Sequence, residues 1–82
     1  MLTYSFENIR SEFLYEHLYH CLREDIQCGK LRSGERLPSK RTFATHLGIS
    51  TITVEKAYGQ LLTEGYIYSR PKRGYYVSDI TT

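Results

Sequence analysis

Apolar and polar positions alternate most informatively in the middle of this chain. From Leu37 to Gly65 the run LPSKRTFATHLGISTITVEKAYGQLLTEG reads as two helices joined by a tight turn. Phe43, Ala44 and Leu47 recur at helical spacing behind Ser39, whose side-chain oxygen suits an N-cap. Gly48 ends that helix, because a left-handed C-terminal residue escapes a Cβ penalty only as glycine. Ile49 fills the turn, and Ser50 offers a second N-cap to a longer helix that stops at Gly65. Along it Val54, Ala57, Tyr58, Leu61 and Leu62 form one apolar stripe, while Thr51, Ile52, Glu55, Lys56, Gly59, Gln60 and Thr63 fall largely elsewhere. Two capped helices around a glycine turn predict a helix-turn-helix, a motif whose second helix can enter a DNA major groove.

The flanking segments complete the pattern. Residues 1–10 have no strong period, and Tyr4, Phe6 and Ile9 read as an extended lead-in. Ser11 is a candidate cap for a long first helix reaching about Cys28, with Leu14, Leu18, Leu22 and Ile26 at spacing four and Tyr15 and Cys21 alongside. Gly29 is its natural stop. GKLRSGERLP then reads as a loop that tucks in Leu31 and Leu37 and leaves Lys30, Arg32 and Arg36 in water. Beyond Gly65 the period changes: YIYSR and GYYVS, with Pro71, Lys72, Arg73 and Gly74 between them, predict a β-hairpin. An isolated hairpin is marginal in water, so this one must rest on the helices. The expected fold is mainly α with a small β-hairpin, a winged helix-turn-helix of three helices and a two-stranded C-terminal wing. It occupies residues 11–78, with a tail or linker beginning at 79–82.

At 82 residues the chain is one small domain, near the size at which a single core is barely sufficient. No apolar run approaches the ~20 residues of a membrane span, and the N-terminus lacks the order of a signal peptide. The expected location is the cytoplasm, associated with the nucleoid through DNA, with no membrane partner. The net charge of +2 is uninformative until divided. Residues 1–28 carry two basic and five acidic residues, a net −3, whereas residues 29–82 carry nine and four, a net +5. Basic charge thus coincides with the helix-turn-helix and the wing, which favours a polyanionic partner. Cys21 and Cys28, seven apart on one helix, are about 10 Å apart along its axis, too far for a disulfide.

At this level of detail the residues resemble a known family. GKLRSGERLPSKR (29–41), FATHLGISTITVEKAYGQLLTEGYI (43–67) and RPKRGYYV (70–77) are similar to the N-terminal DNA-binding domain of GntR-type transcriptional regulators. Each piece is weak alone, but their order and spacing together are specific. Ala57-Tyr58 with the Pro-Lys-x-Gly-Tyr wing is closest to the MocR-like subgroup, in which a pyridoxal-phosphate aminotransferase-like domain normally follows. The resemblance implies a double-stranded DNA operator, a homodimer in the full-length protein, no catalysis here, and pyridoxal phosphate or another effector only in a further domain. It places Ser39 and Arg41 at the DNA backbone or an adjacent base, Ser50 and Thr53 at the front of the recognition helix, and Gly74 in a wing that approaches the minor groove closely. Where the family usually has arginine after the recognition-helix serine, this chain has Thr51. An arginine fork reads guanine at two atoms, while Thr51 offers one hydroxyl and a methyl. The operator should differ accordingly.

Lys40, Arg41, Lys56, Lys72 and Arg73 would each pass singly for solvated surface; converging on one motif and one wing tip, they favour phosphate neutralisation. Ile52, exposed at the front of its helix, suits a thymine methyl, and Glu55 on the outer face suits a cytosine amino group unless it swings away. His17 and Cys21, four apart on one helix face, could ligate a metal with His20 and Cys28, but with no CxxC, no His-x-x-x-His and no fourth ligand except a distant His46 they are read as surface histidines and core-packed cysteines. Cys21 has no base placed to activate it. Two alternatives from other classes remain: a winged helix that binds protein, and the regulatory N-terminal domain of an aminotransferase-like regulator. Strand tyrosines as a platform for single-stranded nucleic acid are a lesser reading, since two short strands provide little area.

Overall fold

A computed structural model describes residue 10 and residues 13–79. In order, the described elements are α1 (Leu14–Gln27), α2 (Lys40–Leu47), α3 (Thr51–Glu64), β1 (Ile67–Arg70) and β2 (Gly74–Val77). The two strands pair antiparallel, Ile67 opposite Val77 and Arg70 opposite Gly74. This is the expected winged helix-turn-helix. Tyr4, Phe6, Ile9 and Ser11 lie outside the described residues, as does the tail from residue 80.

The core is built from one stripe per helix. Leu18, Tyr19, Leu22 and Ile26 of α1, Phe43 and Ala44 of α2, and Val54, Ala57, Tyr58 and Leu61 of α3 are buried together with Leu31, Leu37, Ile67 and Val77. Leu47, Ile49 and Leu62 pack against this cluster from its edge. Gly48 and Gly65 end α2 and α3 with φ of 73° and 83°, a left-handed geometry that glycine adopts without a Cβ clash.

Four details depart from the sequence reading. Phe13, not Ser11, is the N-cap of α1 and makes no side-chain cap bond; its backbone N–H instead donates to Arg10 O at 2.9 Å. Cys28 is exposed rather than core-packed, because the helix ends there and turns its last residue outward; Cys21 is only half-buried. Tyr19, absent from the predicted stripe, is buried because its hydroxyl finds partners: it donates to Glu64 and accepts from Arg23 Nη1 at 3.1 Å. That bond from Tyr19 holds the Glu64 carboxyl below its usual range, and burial followed by the Glu64 contact pushes the Tyr19 phenol up. The segment before α2 is more than a loop. Leu37 N donates to Tyr75 O at 2.8 Å, Val77 N to Glu35 O at 2.9 Å and Gly34 N to Val77 O at 2.7 Å. Residues 34–37 therefore line the free edge of β2 and fix the wing to the chain that enters α2.

Candidate nucleic-acid interface

The two helix starts of the motif are built alike. Ser39 Oγ accepts from Thr42 N at 3.2 Å and donates to the Thr42 hydroxyl at 2.8 Å. Ser50 Oγ accepts from Thr53 N at 3.1 Å and lies 2.8 Å from the Thr53 hydroxyl. Both serines and Thr53 thus use their hydroxyls to close the first turn. What each helix start offers outward is its uncapped backbone N–H groups, on residues Lys40 and Arg41 in one case and Thr51 and Ile52 in the other.

The side chains that follow the caps differ. Arg41, at the second position of α2, is exposed. Thr51 and Ile52 are exposed at the front of α3, and Ile52 at 66% is a conspicuously uncovered large apolar side chain. The opposite face of the same helix is fully buried: Val54, Ala57, Tyr58 and Leu61 each have no exposure. α3 therefore packs its inner face into the core and leaves Thr51 and Ile52, at the front of its outer face, exposed.

One residue joins the parts. The Tyr58 ring lies 6.3 Å from Phe43 of α2 and meets Tyr75 of β2 edge-on at 5.0 Å, centroid to centroid. Its hydroxyl donates to Pro38 O at 2.8 Å, immediately before the α2 cap. Burial raises its phenol pKa well above the ordinary range, so the hydroxyl keeps its proton. Above it Lys40 Nζ stands 3.7 Å from Glu55 Oε2 and 5.8 Å from the centre of the Tyr75 ring. Hence the start of α2, the outer face of α3 and the base of the wing meet at one place.

The wing tip is a turn closed by Arg73 N donating to Arg70 O at 3.0 Å. Pro71 supplies its first central residue, and Lys72 takes φ 61° at the second, where glycine is usual. A left-handed lysine costs about 1 kcal/mol in backbone energy. Lys72 and Arg73 are exposed.

Two more of the predicted residues have neighbours elsewhere in the domain. Lys56 leans toward α1, with Nζ 5.9 Å from the Tyr15 ring centre, so it lies away from the Lys40 junction. Gly74, at φ 115°, has the Arg36 guanidinium beside it, where a Cβ would meet Nε at 3.5 Å, an ordinary contact. Arg36 and Arg70 are the residues that sequence reasoning left out. Arg36 bridges to Tyr76 on the edge of β2, and the Arg70 guanidinium lies 5.2 Å and 5.6 Å from the Tyr76 and Tyr68 rings, which stack on each other. They bring the basic residues of the wing to four. A lone arginine in a loop carries no local signal of this; only the cross-strand pairing places it.

Among the described residues no group of three or more His, Cys, Asp or Glu side chains could hold a metal; Cys21 Sγ lies 3.7 Å from His17 Nε2, without further ligands. No described helix is long and apolar enough to cross a membrane.

Comparison with known proteins agrees with this geometry. The family model described as bacterial regulatory proteins, gntR family, matches residues 14–77. The uncharacterized HTH-type transcriptional regulator YhdI of Bacillus subtilis is 43% identical over 67 residues, 82% of this chain and 14% of its own length. The probable rhizopine catabolism regulatory protein MocR of Rhizobium meliloti is 40% identical over 67 residues, with the same two shares. This chain thus spans about a seventh of those relatives. Among solved structures, YtrA from Sulfolobus acidocaldarius, a GntR-family transcription factor, superposes with a TM-score of 0.76 at 39% identity, covering 82% of this chain and 70% of that one. AraR(DBD) in complex with operator ORX1 superposes with a TM-score of 0.77 at 26% identity, covering 95% and 96%.

Proposed function

Because the chain belongs to the gntR family of bacterial regulatory proteins and forms its winged helix-turn-helix DNA-binding domain, we propose that it reads double-stranded DNA with α3 in the major groove and the wing at the backbone and minor groove. The observation that carries this reading is the front of α3, where Thr51 and Ile52 stand uncovered on a helix whose other face is wholly buried. Thr51 and Ile52 face base edges, and the N-termini of α2 and α3, set by Ser39, Ser50 and Thr53, take phosphates through their free N–H groups. Arg41, Lys72 and Arg73 neutralise phosphates, joined by Arg36 and Arg70. Lys56 reaches the backbone from the α1 side, and Gly74 keeps the wing thin.

In the full-length regulator two such domains read related half-sites as a homodimer in the cytoplasm, and an effector-binding region beyond this chain controls them. Catalysis has no part in the domain's role.

Selection of duplexes from a random-sequence pool at two salt concentrations tests the reading. An enriched motif whose binding falls steeply with salt is the expected result. Binding without enrichment would leave only backbone affinity to this domain. No binding at low salt would overturn the proposal and put protein recognition in its place.

A further inference from the structure

Resting on that reading, we propose that Glu55 is a specificity-determining residue that selects a cytosine in the major groove, with Lys40 as the residue that positions its carboxylate. Glu55 follows Thr51 by four positions and Ile52 by three, so it shares their face of α3. Its side chain is 64% exposed. A carboxylate on a surface that meets a polyanion weakens binding to every sequence unless a donor matches it.

The chemistry of the groove restricts that donor. A carboxylate only accepts hydrogen bonds. Guanine presents acceptors at N7 and O6 and thymine an acceptor at O4, so both repel it. Adenine presents its N6 amino group beside the N7 acceptor, which faces the second carboxylate oxygen. Cytosine presents its N4 amino group with no neighbouring acceptor on the same ring, and it is the base that suits Glu55.

Lys40 makes this economical. Its ammonium lies 3.7 Å from Glu55 Oε2 and is only 33% exposed. On its other side is the ring of Tyr75, itself set against buried Tyr58. The cation is therefore seated by the core, offsets the carboxylate's charge beside phosphates and restrains its direction. Lys40 acts through Glu55 rather than as a free phosphate contact.

Selection from a randomised duplex pool, with the wild-type chain, Glu55→Gln and Lys40→Met compared, tests the proposal, with circular dichroism confirming that each variant is folded. The wild-type motif should contain one C·G column. Glu55→Gln should move that column toward adenine, which an amide pairs with at N6 and N7, and leave the other columns intact. Lys40→Met should broaden the same column, with discrimination falling about 5- to 10-fold, the low end for a base contact. Arg73→Ala should weaken all sequences alike and change no column. If both variants reproduce the wild-type motif, even with tighter binding overall, the carboxylate merely repels DNA and the proposal fails. A wild-type chain that binds but enriches no motif would instead overturn the base-reading role of α3 on which it rests.

Discussion

The starts of α2 and α3 make a natural comparison. Each has serine at the cap, threonine three residues later and the same pair of hydrogen bonds, within 0.1 Å of each other in length. Up to that point they are one local structure written twice. The next two residues separate them: Lys40 and Arg41 in α2, Thr51 and Ile52 in α3. In the first pair Arg41 brings an exposed charge, which holds a polyanion without regard to sequence, while Lys40 turns to Glu55. The second brings a hydroxyl and an apolar surface, which gain only against particular base edges. A shared cap thus fixes where a helix begins, and its first turn fixes what the beginning is for.

The comparison holds only while the two starts keep their relative position, so the largest effect should come from the residue that joins them. Tyr58→Ala removes the ring between Phe43 and Tyr75 and the hydroxyl that holds Pro38 O. Truncating a buried aromatic costs about 3–5 kcal/mol. A domain of this size has roughly 4–12 kcal/mol in total. Urea denaturation should show a large drop in midpoint, with DNA binding weakened for all sequences together. A variant with wild-type stability would show that Tyr58 does not join the two starts.

Next in size are the two substitutions that separate charge from reading. Arg41→Ala should lower affinity for every duplex by about tenfold at 0.1 M salt and reduce the salt slope by about one. Ile52→Ala should leave the slope alone and lower preference at one column by roughly 1 kcal/mol, about fivefold. Titrations of a selected and a scrambled duplex at several salt concentrations distinguish them. Equal losses on both duplexes for Ile52→Ala would remove it from base reading.

Legibility in the sequence followed the range of the interactions. Ser39, Gly48, Ser50 and Gly65 were readable because caps and stops act within a few residues, and all four hold those places in the structure. The stripe of α3 was readable because burial on a helix repeats. The roles of Lys40 and Arg36 were not, since Lys40 depends on Glu55 and Tyr75 and Arg36 on a strand edge some forty residues away. Tyr19 was missed for the same reason: its burial depends on Glu64, at the far end of α3. Charge patterning pointed to the basic half as a region but could not say which cations already have a partner.

The caps themselves should give a smaller effect, equal at the two sites. Ser39→Ala and Ser50→Ala each remove one accepted bond from a first-turn N–H and should cost about 1 kcal/mol of stability. Their effects on binding should diverge. Fraying α2 loosens a phosphate anchor, so Ser39→Ala should weaken all duplexes; fraying α3 displaces Thr51 and Ile52, so Ser50→Ala should also blur the motif. Thermal denaturation with selection on both variants checks this. Identical motifs would show that reading does not depend on the α3 start.

The wing supplies the smallest effect on stability and the cleanest separation of backbone from charge. Lys72 has φ 61°, so glycine in its place relieves about 1 kcal/mol of strain. Glycine also frees the unfolded chain by roughly 0.5–1 kcal/mol, which nearly cancels the gain. Lys72→Gly should therefore shift the unfolding free energy by no more than about 0.5 kcal/mol, while the salt slope of DNA binding falls by about one. Unchanged stability with a reduced slope would make the wing a third anchor like the start of α2, one whose lysine is kept in an unfavourable conformation for its charge. An unchanged slope would mean that Lys72 faces solvent in the complex, and would leave Arg73, Arg70 and Arg36 as the wing's contacts.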